Sequence, residues 1–426
     1  MQTAPKNVIR GWTMYDWANS AYSLIITSAI FPAYYSAIAP EKVYFIGRTY
    51  DRASLASYAI SFSFMVIAIL SPILSSIADY KGNKKTFLKF FCYMGSTACL
   101  GLTFLTEDNV SFGILCSIIG SIGFCGSIVF YNAYLPEIAA EAEQDRISAK
   151  GFATGYVGSV ILMTLCLTVI LLNDNLNWGW GAWPTRLSFL AVGLWWAGFA
   201  QITFRDLPPS RASKQRPEKS IFVNGFYELK KVWHELSVYP VTKRFLRSFF
   251  FYNMGVQTVM YLATYFAADE LKMDQTELII TVLIIQVVGI VGALLFSRIS
   301  KSIGNLYTLA IIIFIWICIC ISAYFITTVI QFYALAFSVG MVMGGIQSMS
   351  RSTYSKLLPP TKDTASYFSF YDVCDKIGTV VGTLSFGYVS EFFGGMRNSV
   401  LSLMVFFIIG GILLLFVDPK KKTVIA

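Results

Sequence analysis

Charge and histidine are what this chain has least of. Only 13% of its 426 residues are Asp, Glu, Lys or Arg, and it has one histidine, His234. Soluble domains carry about a quarter charged residues, so this composition cannot cover an ordinary water-facing surface. The single histidine rules out paired histidine ligands. The eight cysteines (Cys92, Cys99, Cys116, Cys125, Cys166, Cys318, Cys320 and Cys374) contain no Cys-x-x-Cys pair and all fall in apolar runs. Thiols there act as small hydrophobes, so neither metal, cofactor nor disulfide is expected. No G-x-x-x-x-G-K-[ST] loop occurs, so ATP is not the power source, and no G-x-S-x-G elbow or other nucleophile–base constellation points to an enzyme.

What is present is hydrophobic. The chain is 56% apolar and 16% aromatic, and runs of about 20 apolar residues, the length that crosses about 30 Å of hydrocarbon, recur along it. An open sheet cannot satisfy its backbone in lipid, so the expected fold is all-α, an integral membrane protein of twelve transmembrane helices. The spans fall near 13–38, 53–78, 85–105, 111–135, 151–172, 184–204, 245–267, 276–298, 305–326, 329–352, 364–390 and 397–417. The segment "SAIAP" at 36–40 offers a cleavage pattern, but the run before it is too long for a signal peptide and contains Asp16 and Asn19. It is read as a retained first span.

The longest polar stretch divides the spans six and six. It opens with "RDLPPSRASKQRPEKS" at Arg205 and runs to Lys243, giving expected units of 1–204, a linker at 205–243, and 244–426. Within the linker, Phe222, Phe226, Leu229, Trp233 and Leu236 repeat at helical spacing, as an amphipathic helix on a membrane face does. With both termini on one side, that side holds 26 of the 33 Lys and Arg residues, while Lys42, Arg48, Arg52, Arg186, Lys272 and Arg397 lie opposite and Lys376 lies inside a span. By the positive-inside rule both termini are cytoplasmic, in a multi-pass protein of the plasma (inner) membrane. The net charge of +9 is therefore a topology signal rather than a nucleic-acid signal. The expected partners are the lipid bilayer, a small-molecule substrate and protons, with no nucleic acid and a monomeric chain.

Two landmarks repeat. Gly82-Asn83 recurs as Gly304-Asn305, 222 residues on, and Leu135-Pro136 recurs as Leu358-Pro359, 223 residues on. Such agreement implies two similar six-helix halves around a midplane site, rocking to give alternating access.

Polar residues inside the spans face protein or water rather than lipid. Span one carries a stripe of Tyr15, Asp16, Asn19, Tyr22 and Ser23 at spacings of three and four, which share one helix face; Asp16 is a substrate-binding and proton-coupling candidate, with an interfacial anchor as the alternative. Span seven carries Asn253, Gln257 and Tyr261. Asn132, Gln286 and Gln347 add polar groups in spans four, eight and ten, and Arg351 sits near the cytoplasmic end of span ten. These amides suit hydrogen bonding to a polar solute, and equally suit interhelical contacts. Span eleven reads "SFYDVCDKIGTVVG": Asp372 and Lys376 are one turn apart and Asp375 lies near the same face. A substrate-binding and proton-titrating cluster competes here with a structural ion pair. Two acids and one base leave one acid unpaired. The acid held further from Lys376 is then the titrating one, while Lys376 holds an anionic part of the substrate. Gly378 and Gly382 mark a face that another helix approaches closely.

"DYKGNKK", Asp79 to Lys85, resembles the loop signature of the major facilitator superfamily, with Ser75 standing where the signature has glycine. "GWTMYDWANSAYS" at 11–23, "YNAYLPEIA" at 131–139 and "FYDVCDKIG" at 370–378 resemble its vacuole-effluxer-like branch, which includes bacterial members of unknown substrate and yeast vacuolar amino-acid effluxers. The resemblance implies that Asp79 docks on a neighbouring helix end and stabilises the outward-facing state; Lys84 and Lys85 beside it, and Arg351 at the cytoplasmic end of span ten, are further gating candidates. An ordinary basic helix end is the alternative. The function expected is a secondary active transporter of a small polar or zwitterionic metabolite, amino-acid-like for preference and proton-coupled. A sugar, nucleoside, peptide or drug transporter of the same fold, or a non-transporting membrane sensor, stays open.

Overall fold

The computed structural model describes residues 2–176, 179–210, 230, 234, 239–392 and 396–418. The linker's expected amphipathic helix lies outside the described residues, apart from Lys230 and His234. Twelve long helices make up the bundle: α1 (Lys6–Ile38), α2 (Arg52–Lys81), α3 (Lys84–Leu102), α4 (Val110–Ala133), α5 (Gln144–Leu176), α6 (Trp183–Asp206), α7 (Pro240–Glu270), α8 (Gln275–Ile303), α9 (Asn305–Phe325), α10 (Val329–Leu357), α11 (Thr364–Phe392) and α12 (Met396–Leu415). Several extend beyond the apolar runs. α1 begins at Lys6 rather than near 13, and α5 at Gln144 rather than near 151, because polar first turns continue a helix once hydrocarbon no longer limits it.

Among the described residues, nine helices are long and apolar enough to cross a membrane. The other three, α3, α7 and α11, carry the basic residues Lys84, Lys85 and Lys89, the amide stripe, and the charged cluster respectively. Side-chain boxes start two helices: Asp274 with Glu277 before α8, and Thr328 with Gln331 before α10. Two local departures occur in the first half. α1 widens to π-helical winding over Tyr22–Ser28, and residues between α1 and α2 pair as an antiparallel hairpin, Lys42–Phe45 with Arg48–Asp51.

α1 to α6 form one half and α7 to α12 the other. α1 packs on α5 and α6, and α3 on α4 and α6. In the second half α8 packs on α10, and α12 on α7 and α9. The seam between halves is made where α2 and α4 meet α11, and where α5 meets α8 and α10. The α8–α10 contact is backbone-close: a Cβ on Gly344 would collide with the carbonyl of Gly289, and one on Gly292 with that of Met341. Helices associate this closely in membranes only through small residues. Gly344→Ala is therefore expected to lower the Tm in detergent by several degrees. Gly387→Ala, whose added Cβ meets nothing within 4 Å, leaves it unchanged.

Candidate functional site

Four polar constellations lie in or beside the seam. Three tie the halves together at the end carrying the α2–α3, α4–α5, α8–α9 and α10–α11 connections, called here the basic end.

The first is built on α1 and α10. Arg351 is 3% exposed and Asp16 4% exposed. Both Arg351 Nη atoms donate to Asp16 Oδ2 at 3.3 Å, and Nη1 also donates to Asn132 Oδ1 at 3.3 Å. Nε donates to Ser148 Oγ at 2.9 Å and Nη2 to the Ser148 carbonyl at 2.8 Å. Tyr131 Oη donates to Asp16 Oδ2 at 2.6 Å. The guanidinium also lies over the rings of Phe152 at 4.1 Å, Trp12 at 4.8 Å and Tyr131 at 5.4 Å. Gly151 makes room for this: a Cβ there would strike Asp16 Oδ2 and come within 3.0 Å of Arg351 Nη2. A buried charge needs pairing and hydrogen bonds on every side, and Arg351 has both.

The second joins α2, α3 and α11. Lys84, fully buried, contacts Asp79 at 2.9 Å, donates to Thr364 Oγ1 at 2.7 Å, and pairs with Glu137. Asp79 accepts from the backbone N–H groups of Ala365 (3.2 Å) and Ser366 (2.8 Å) and from Ser366 Oγ (2.9 Å). A carboxylate at the N-terminus of α11 meets unpaired N–H groups and the positive end of the helix dipole. Lys85 is not part of this group. One residue further round the helix, its ammonium instead donates to the Leu207 carbonyl at the end of α6, at 2.7 Å.

The third was not singled out from the sequence. Asp145, at the start of α5, meets Lys356 of α10 at 2.5 Å, Asn305 Nδ2 at 2.7 Å and Ser300 Oγ at 3.2 Å. Asn305 belongs to the repeated Gly-Asn pair, so the repeat was the available signal. Glu137 and Tyr131 stood inside the quoted stretch 131–139, but nothing in its spacing gave them a partner. A crevice of about 590 Å³ lies at this end, lined in part by Glu137, Lys356 and Lys362.

The fourth lies on α11. Asp375 Oδ2 accepts from Lys376 at 2.6 Å, while its Oδ1 accepts from Asn253 Nδ2 at 2.6 Å and Gln257 Nε2 at 3.1 Å. Lys376 also lies 3.6 Å from Asp372 Oδ1 and 5.2 Å above the ring of Phe64 on α2. The lysine's closer partner is thus Asp375, not the acid one turn before it. Asp372 is buried, and its Oδ2 has no hydrogen-bond partner among the described residues. A Cβ on Gly382 would meet Thr258 Oγ1, and one on Gly378 the Phe250 carbonyl at 3.4 Å, so the glycine face is where α7 packs.

The remaining candidates are dispersed. Tyr22 is packed inside the first half, stacked on Phe124, with its hydroxyl 3.1 Å from Ser121 Oγ. Asn19 is buried, and among the described residues its Nδ2 and Gln286 Oε1 have no hydrogen-bond partner. Gln347 accepts from Tyr156 Oη at 2.9 Å across the seam. Tyr261 meets Phe64 edge-on. Asp16 and Asn132, read as substrate-facing, are thus brought together with Arg351, while Asn253 and Gln257 are brought to Asp375. Among the described residues no cluster of His, Cys, Asp and Glu suits a metal ion.

Twelve helices in two similar halves, joined by buried polar contacts at one end, define a membrane transporter of the major facilitator fold. The chain belongs to the vacuole effluxer Atg22-like family, whose model matches residues 4–426. It is 32% identical to the uncharacterized MFS-type transporter YxiO of Bacillus subtilis over 414 residues, 97% of this chain and 95% of the relative. Autophagy-related protein 22-2 of Aspergillus niger is 24% identical over 464 residues, 88% of this chain and 77% of the relative. Among solved structures, the E. coli fucose:proton symporter FucP aligns with a TM-score of 0.70 at 16% identity, covering 97% of this chain and 98% of that one. The proton:xylose symporter XylE aligns with a TM-score of 0.70 at 12% identity, covering 98% and 97%. At those identities the likeness is one of fold.

Proposed function

We propose that the chain moves a small polar or zwitterionic metabolite, amino-acid-like for preference, by alternating access coupled to protons. The observation that carries this reading is the α11 cluster: two acids and one base in the seam, with one carboxylate oxygen left without a partner among the described residues. In this state Lys376 is held by Asp375, so an anionic group of the substrate reaches it by displacing that carboxylate. Asp375 retains Asn253 and Gln257 as donors when this happens. Asp372 has no such donors and takes the coupling proton, with its bare oxygen as the acceptor. The amides of α7 and Tyr261 line the same region and suit a polar solute.

The three tied constellations make the basic end the closed gate, with Asp79, Lys84 and Arg351 as its closing residues. By the sequence assignment, the side of the connections at this end and of both termini carries 26 of the 33 basic residues, which favours placing it in the cytoplasm, in the inner membrane, with the single chain as the working unit. The family description, an effluxer, favours export of a metabolite. The fold neighbours include two transporters named as proton symporters, which favours proton coupling.

The test is counterflow in proteoliposomes, comparing labelled amino acids with sugars, nucleosides and peptides, in wild type and in the charge-swapped pair Asp372→Lys/Lys376→Asp. Saturable amino-acid counterflow that the swap abolishes is expected. If the swap keeps full transport, the pair is only a structural bridge and the assignment of Lys376 to substrate is wrong.

A further inference from the structure

Arg351 is covalently part of the second half, yet each hydrogen-bond and ring partner described above belongs to the first. Its guanidinium enters a socket made by Trp12, Asp16, Tyr131, Asn132, Ser148 and Phe152. Apart from Ser148 Oγ, which donates to the Ser348 carbonyl of α10 at 2.8 Å, the socket is held together within the first half. Tyr131 Oη fixes Asp16, Trp12 stacks on Tyr131 at 4.5 Å, and Trp12 Nε1 donates to the Tyr131 carbonyl at 3.0 Å. None of these three contacts involves Arg351. Alternating access requires the halves to separate at one end and then the other, and separation at the basic end must withdraw Arg351. What stays behind is a buried carboxylate, an amide oxygen, a backbone carbonyl, a hydroxyl and three aromatic faces.

That set of groups is a receptor for a planar organic cation. The oxygens match the N–H fork of a guanidinium, and the rings supply cation–π attraction in a desolvated setting. We infer that the socket is a binding site for guanidinium-class cations, occupied by Arg351 while the basic end is sealed and open to a free guanidinium or arginine-like side chain when it is not. Arg351 is then a tethered ligand that competes with the free cation. This inference goes beyond the transport reading: the socket binds the cation whether or not the cation is cargo, and its test needs no transport.

The test uses purified Arg351→Ala in detergent, titrated with guanidinium chloride at millimolar, non-denaturing concentrations, with urea as the uncharged planar control. Guanidinium should raise the Tm of Arg351→Ala saturably, by about 2 °C at ten times the half-saturating concentration. It should leave wild type unmoved, because Arg351 fills the site, and should leave Arg351→Ala/Asp16→Asn unmoved, because the carboxylate is gone. Urea should not reproduce the effect. An equal rise with urea, an equal rise in the Asp16→Asn double variant, or no saturable rise at all overturns the inference. Should Arg351→Ala fold too poorly to purify, Arg351→Ser carries the same measurement, since a small hydroxyl hydrates the emptied socket without filling it.

Discussion

Asp372→Asn is expected to abolish uptake driven by a proton gradient while leaving counterflow near the wild-type rate. Counterflow exchanges substrate for substrate and requires only that the loaded carrier reorient. Accumulation additionally requires a group that gains and loses a proton once per cycle. Asn is close in shape to Asp, and its oxygen can keep the position that Asp372 Oδ1 holds 3.6 Å from Lys376. The change therefore removes the titratable site without opening a cavity. Asp375→Asn should behave differently, because Asp375 carries three hydrogen bonds, from Lys376, Asn253 and Gln257, and its loss disturbs the lysine and the amides together. It should weaken substrate binding in both assays. If Asp372→Asn depresses counterflow as much as gradient-driven uptake, Asp372 is a structural or substrate-binding group and the proton is carried elsewhere.

Lys84→Met is expected to unseal the basic end. Lys84 is fully buried and lies between Asp79 and Glu137. Methionine replaces its length but leaves two carboxylates facing each other without a cation. Breaking a buried pair by removing one partner costs about 3–5 kcal/mol. Asp79 and Glu137 belong to the same half as Lys84, so the ion-pair part of that cost is shared by both arrangements, and only the hydrogen bond to Thr364 Oγ1 of α11 weighs on the sealed one. A hydrogen bond from a charged group contributes about 1.5–3 kcal/mol, so the balance should move by about tenfold or more towards the arrangement open at this end. A cysteine at Ser355, in the crevice at the basic end, reports it, in a background with Cys318 and Cys374 replaced by Ala. Labelling by a membrane-impermeant maleimide added to that side should rise steeply in Lys84→Met. It should fall back partly in Lys84→Met/Glu137→Gln, where one of the stranded charges is gone. Unchanged labelling sinks the gate role.

The fold was legible because membranes leave few options. Apolar length gave twelve spans, and Gly82-Asn83 against Gly304-Asn305 gave the repeat. The hairpin at Lys42–Asp51 and the π-wound stretch of α1 were not legible, since neither breaks the hydrophobic pattern by which spans are read. The site was legible only within single helices. Spacing placed Asp372, Asp375 and Lys376 together, and Asn253 with Gln257. It could not show that Asn253 and Gln257 both turn to Asp375, 122 and 118 residues away, nor that Asp16 meets Arg351 across 335 residues. Helical periodicity carries no information about which helices touch. Asp145 escaped notice for the same reason: at the head of α5 it reads as an ordinary first-turn acid, and its partners Lys356 and Asn305 lie 211 and 160 residues on.

The placement of Arg351 also bears on how the chain finds its own quaternary-like arrangement. The key is carried by one half and the lock by the other, so an instruction for joining them is written on their facing surfaces. Two fragments made together in one cell, one keeping α6 and Leu207 and the other keeping α7 from Pro240, are expected to find register. The tether supplies proximity, and the address is the guanidinium.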